Sequence, residues 1–149
     1  MSRDRLLIRV EREWQDFLGA FAGLPEKALL EPGVVGPWSV RHILCHITTW
    51  EAEFLKVLPL ILTGKPMPRY RGIDAFNARE QERKRKLSLD QVRRELAATH
   101  ERLVSALASL PATTNAIENR LRRRLRLDTH HHYREHAAQI SAWRKARFS

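Results

Sequence analysis

Three histidines in this chain sit where their neighbours predict an inward-facing position. His46 belongs to the run Trp38-Ser39-Val40-Arg41-His42-Ile43-Leu44-Cys45-His46-Ile47. Ile43 and Trp50, about one turn to either side, are apolar. His132 and His136 fall in Thr129-His130-His131-His132-Tyr133-Arg134-Glu135-His136-Ala137-Ala138-Gln139-Ile140, four residues apart, a spacing that projects both rings from one side of a helix. A neutral imidazole offers a lone pair at pH 7 and binds zinc at about 2.0 to 2.1 Å. Two rings one turn apart therefore reach one ion without strain. A third from a facing helix completes a site for a divalent transition metal that leaves positions open to water or substrate. Unpartnered, each buried imidazole costs about 1 to 3 kcal/mol, and a shared cation removes that cost. Spacing alone also fits a metal-free alternative, in which the rings are hydrogen-bonded core residues.

Other groups follow from these. His42 has an ambiguous facing. His100 lies beside a helical stripe and is expected at the surface, or behind the ligands. His130 and Arg134 are expected to face outward. Trp50 could wall a pocket, and Glu51, Asp74, Asn77 or Tyr133 could position a substrate or shuttle a proton. Cys45, the single cysteine, cannot form an internal disulfide and reads as a small buried hydrophobe.

These groups need helices to hold them. Leu7, Val10, Trp14, Phe17, Leu18 and Phe21 follow a 3.6-residue period, which predicts a first helix from about Arg3 to Ala22, stopped near Gly23 and Pro25. Ser39 is placed as the N-cap of a second, with Ile43, His46, Ile47, Trp50, Phe54 and Leu58 inward and Pro59 kinking its last turn. Prolines and glycines between Gly64 and Gly72 predict a loop, and Ile73 to Lys86 a short polar helix with Asp74 and Asn77 on one side. Ser88 or Asp90 opens a third long helix carrying Leu89, Val92, Leu96, Leu103, Ala106, Leu107 and Leu110 before Pro111. Ile117, Leu121, Leu125, Asp128, His132, His136 (or Glu135), Gln139 and Trp143 then continue one stripe, as one helix or as two divided near Asp128. With no strand-like alternation, the prediction is an all-α four-helix bundle with an accessory helix, in a single domain spanning residues 1–149.

A formal net charge of +10 draws the protein toward anions. The excess gathers at Arg79 to Lys86 and Arg120 to Arg126, and helical proteins carry such runs as solvated faces. A nonspecific nucleic-acid interface through Arg120, Arg122, Arg123, Arg124 and Arg126, joined by Lys84, Arg85 and Lys86, is the alternative to catalysis, and its binding would weaken steeply with salt. No apolar run approaches 18 residues and no secretory signal opens the chain, so a cytoplasmic protein without a membrane partner is expected.

The runs quoted above carry a resemblance. Trp38-Ser39 followed by His46 is similar to the W-S-x-x-x-x-x-x-H signature of the DinB/YfiT-like four-helix bundles, and His132 to Ile140 resembles their H-x-x-x-H-x-x-Q-I signature. Gly72-Ile73-Asp74-Ala75-Phe76-Asn77, with His132-Tyr133 and Glu135-His136, resembles the ClbS/DfsB-like branch. Two positions depart: relatives often carry an acidic residue where this chain has His42, and glycine where it has Ala138. The resemblance implies a three-histidine site on His46, His132 and His136 for zinc, nickel or a similar divalent transition metal, and pairing of chains through helices as a homodimer. It implies activity as a metal-dependent hydrolase or thiol transferase, since the branch includes a self-protection protein that hydrolyses a strained, toxic electrophile. The expected substrate is thus a small electrophilic compound.

Overall fold

Apolar residues spaced by three and four give α1 (Arg3–Phe21) a buried stripe of Leu6, Val10, Trp14, Phe17 and Phe21, which a helix can hide only against other helices. The protein, a computed structural model that describes residues 3–148, contains seven helices among those residues. Gly23, with φ at +78°, turns the chain out of α1 in a conformation side-chain-bearing residues rarely adopt. A single-turn α2 (Glu26–Leu29) leads to α3 (Val40–Leu62).

Ser39 caps α3, its hydroxyl accepting from the His42 amide. The box is closed by an imidazole where a carboxylate is usual: the Ser39 amide donates to His42 Nδ1 at 3.0 Å. His42 therefore takes over the acid's task in the box. Pro59 stands inside α3 on its exposed side, and the helix runs on to Leu62.

The accessory helix is α4 (Ile73–Arg83), shorter than the predicted span to Lys86. Beyond its end Lys84 turns inward, buried, with Nζ donating to Thr49 Oγ1 at 2.8 Å, so this part of the basic run is not a solvated face. α5 (Leu89–Ala108) starts at a capping box made by Ser88 and Gln91. The last stripe resolves into two helices, α6 (Asn115–Asp128) and α7 (His130–Phe148). They part at Thr129, whose φ of −128° and ψ of −99° leave the helical region. Its hydroxyl donates to the Leu125 carbonyl at 2.6 Å and its own carbonyl accepts from the Tyr133 amide at 2.8 Å.

The four principal elements are thus α1, α3, α5 and the divided α6–α7. α7 lies along α1, while α3 packs against both α5 and α6, and α4 rests on α3. Phe17, Ile43, Ile47, Phe54, Leu103, Leu121, Leu125, Tyr133 and Ile140 form the fully buried centre. Polar ties fix the ends. Arg3 reaches the Leu110 and Pro111 carbonyls and pairs with Glu118, and Arg144 donates to the Ala20 and Ala22 carbonyls at the end of α1. No helix among the described residues is long and apolar enough to cross a membrane.

Two substitutions rank these contributions. Phe54→Ala empties a sealed core position and is expected to cost about 3 to 5 kcal/mol, whereas Ser39→Ala removes one cap and costs about 1 kcal/mol. Urea unfolding monitored by circular dichroism checks the order, and a neutral Ser39→Ala would show that the cap holds nothing in place.

Candidate metal centre

α3 and α7 bring the three predicted rings together. One nitrogen from each of His46, His132 and His136 lies within 4.8 Å of the other two. His46 Nε2 and His132 Nε2 are 2.9 Å apart, and the ring centroids are separated by 4.7 Å (His46 to His132), 5.1 Å (His46 to His136) and 4.7 Å (His132 to His136).

The outer nitrogens tell which lone pairs point inward. His136 Nδ1 lies 2.6 Å from Gln139 Oε1; an amide oxygen only accepts, so the proton sits on Nδ1 and Nε2 is left as a lone pair. His132 Nδ1 is buried without a hydrogen bond of normal geometry, helped only by a weak interaction with the Asp128 backbone. A proton on that side again leaves Nε2 as a donor toward the common centre. Burial pushes His46 down to about 3, aided by the charges of His136 and Lys84. Burial likewise sets His132 well below the usual imidazole range, with His46 and His136 adding to the effect. It lowers His136 too, against an opposing pull from Gln139. All three rings are neutral at pH 7, the form a metal needs, so the residues present fit a divalent transition ion.

The rings open into a cleft of about 680 Å³ whose wall includes Trp38, Trp50 and Tyr70, with Asp74 and Asn77 of α4 facing them. Trp50 Nε1 donates to Asn77 Oδ1 at 3.0 Å, which fixes the indole and leaves the Asn77 amide nitrogen available. Trp38, Asp74 and Asn77 also border an adjoining hollow of about 560 Å³ that extends past His42 and Gln81.

Sequence reasoning missed Arg124 and Tyr70 as cleft groups and placed Asp128 only as part of a stripe. Arg124 Nε donates to Asp128 Oδ2 at 2.5 Å, and Arg124 Nη2 to the Tyr70 hydroxyl at 2.7 Å. Burial raises Asp128 to about 6 against the pull of Arg124. The signal was available: Arg124, Asp128, His132 and His136 recur at every fourth position.

Other expectations are placed differently. Tyr133 is not a cleft residue. Its ring is fully buried among the helices, and its hydroxyl donates to Glu51 Oε2 at 2.6 Å, so the structure gives it a packing role in place of substrate contact. Glu51 is sealed in the same network. His100 is not exposed; it is buried, with Nδ1 2.8 Å from Glu51 and Nε2 2.6 Å from Glu11, under a Trp14 indole stacked at 3.7 Å. Burial opposes charge on His100, and the two carboxylates overcome it and raise its pKa. His130, expected outside, is buried, since the break at Thr129 resets the facing of the first turn of α7. Cys45 is buried as predicted. The arginines divide: Arg120 donates to the Lys65 carbonyl, Arg124 enters the cleft, and Arg122 and Arg126 border a separate hollow.

Comparisons with known proteins agree with this architecture. The sequence model of the DinB superfamily matches residues 9–140. A solved structure named Sibling Lethal Factor Precursor - DfsB superposes with a TM-score of 0.81 at 14% identity, over 100% of this chain and 98% of that one. An uncharacterised protein from Escherichia coli UTI89 superposes with a TM-score of 0.78 at 14% identity, over 97% and 94%. No curated protein matches the sequence.

The buried rings make stability depend on pH in a defined direction. Their native pKa values are lowered, so as pH falls below about 6.5 the unfolded chain takes up protons that the native rings refuse. Stability of the chelator-treated protein is expected to fall from about pH 6.5 toward pH 3, by up to about 1.4 kcal/mol per pH unit for each ring. His46→Leu should flatten the slope of urea midpoint against pH; an unchanged slope would mean that His46 titrates normally.

Proposed function

This chain belongs to the DinB superfamily, and from that premise we propose that it is a metal-dependent hydrolase or thiol transferase of the ClbS/DfsB-like branch, acting on a small electrophilic and toxic compound. The observation that carries this reading is the convergence of three neutral imidazoles at the base of an aromatic cleft. His46, His132 and His136 would hold a divalent ion such as zinc or nickel, and Gln139 would orient His136 from behind. Bound there, the ion would supply Lewis acidity that activates a nucleophile at neutral pH.

The remaining work falls to the chain. Trp38, Trp50 and Tyr70 exclude water around an apolar substrate body, and Asp74 and Asn77 orient it from α4. Asp128, raised to about 6, exchanges a proton near neutrality beside the rings. Arg124 holds that carboxylate in place and lies 5.9 Å over the Trp50 ring, joining the acid to the aromatic wall. The adjoining hollow gives room for a substrate longer than the cleft itself. The alternative, a noncatalytic basic bundle that binds nucleic acid, has less support because its arginines are spread over separate faces.

Elemental analysis of protein prepared without a histidine tag tests the reading. One divalent ion per chain is expected, lost in each of His46→Ala, His132→Ala and His136→Ala, with Gln139→Ala weakening metal affinity about 10 to 100-fold. Metal retained by all three alanine variants would end the proposal. Asn77→Ala should keep the metal while lowering kcat/KM on an electrophile panel by about tenfold; unchanged kinetics would remove Asn77 from the site.

A further inference from the structure

A second concave site gathers four arginines from three helices. A hollow of about 240 Å³ is bordered by Arg9 and Glu13 of α1, Arg122 and Arg126 of α6, and His130 and Arg134 of α7. Arg122, Arg126, His130 and Arg134 recur every fourth position across the Thr129 break, two residues out of step with the ladder that ends in the metal ligands. An offset of two residues is a rotation of about 200° on a helix, and the hollow shares no lining residue with the imidazole cleft.

Most of the guanidinium groups here stand exposed to water and hold no side-chain partner, whereas several others in the chain are tied to the protein. Arg3, Arg41 and Arg144 reach backbone carbonyls, and Arg83, Arg124 and Arg147 hold carboxylates. Among the described residues, Arg9, Arg126 and Arg134 have no hydrogen-bonded or ion-paired side-chain partner, and Arg122 comes only to within 3.9 Å of Glu118. Like charges one turn apart destabilise a helix, and four permanently charged groups face one carboxylate, Glu13. Because three helices contribute, the charges surround a concavity where a flat nucleic-acid-reading face would spread them out. A phosphoryl group, with its several acceptor oxygens and close to two charges, matches planar forks arriving from different sides. Glu13, which also lines the hollow, suits a hydroxyl beside that group.

We propose that this hollow binds the phosphoryl group of a small, hydroxyl-bearing phosphate ester. Isothermal titration of the full chain with glycerol phosphate and with inorganic phosphate, at physiological ionic strength, tests it. Saturable binding at one site per chain is expected. The exposed pair Arg126→Gln and Arg134→Gln should weaken it by about tenfold or more, while Arg123→Gln and His46→Ala leave it unchanged. Three results would overturn the assignment: no saturation at millimolar ligand, equal weakening by Arg123→Gln, or loss only in His46→Ala, which would move the anion to the metal centre. Steeply salt-dependent binding of duplex DNA with no saturable phosphate-ester binding would also overturn it, making the surface a nucleic-acid contact.

Discussion

Imidazole rings withdrawn from water must find something to do with two nitrogens each, and that requirement organises one end of this bundle. Polar atoms buried without partners cost more than their hydrogen bonds return. His136 meets the demand outward through Gln139, and His132 leaves one nitrogen unpaired. What remains are ring nitrogens turned toward one another, with His46 Nε2 and His132 Nε2 2.9 Å apart. Helix α3, its cap at Ser39 and the break at Thr129 are the means of holding that aim, since a rotation of either helix would carry a ring into the apolar core or out to solvent.

A different solution to buried charge stands beside it. Glu51, fully enclosed, is answered by His100 and Tyr133, and His100 by Glu11 in turn. Burial raises the Glu51 pKa against the pull of these partners. Replacing such a network with apolar residues is often neutral for stability, whereas removing a single member is not. Its value here is positional: Tyr133 is the residue after His132, so a hydroxyl anchored in the core fixes the helical phase at which the ligand rings emerge. The structure thereby places a rigid polar core behind a solvent-facing aromatic cleft.

The fold was legible wherever one face of a helix is wholly apolar. The stripes of α1, α3 and α5, the cap at Ser39, and the inward facing of His46, His132 and His136 follow from spacing and apolar neighbours, while Ser88 was one of two candidate openings for α5. What escaped depends on contacts between distant segments. His100 looked peripheral because its partners, Glu11 and Glu51, come from two other helices. Tyr133 looked available because sequence does not show which side of a ligand-bearing helix meets the core. The division at Thr129 carries no glycine or proline, so the pattern alone left one helix or two open; it also turned His130 inward. Arg124 was absorbed into a charge run, although its four-residue distance to Asp128 is the spacing of an intrahelical ion pair.

His46 and His132 touch across a sequence separation of 86, and they do so at a point where a cation fits. Any ion shared by those rings would tie two remote stretches of polypeptide into a closed circuit, restricting the disordered chain as a disulfide does and by an amount that grows slowly with the length enclosed. Chemical competence and resistance to unravelling would then reside in the same few bonds.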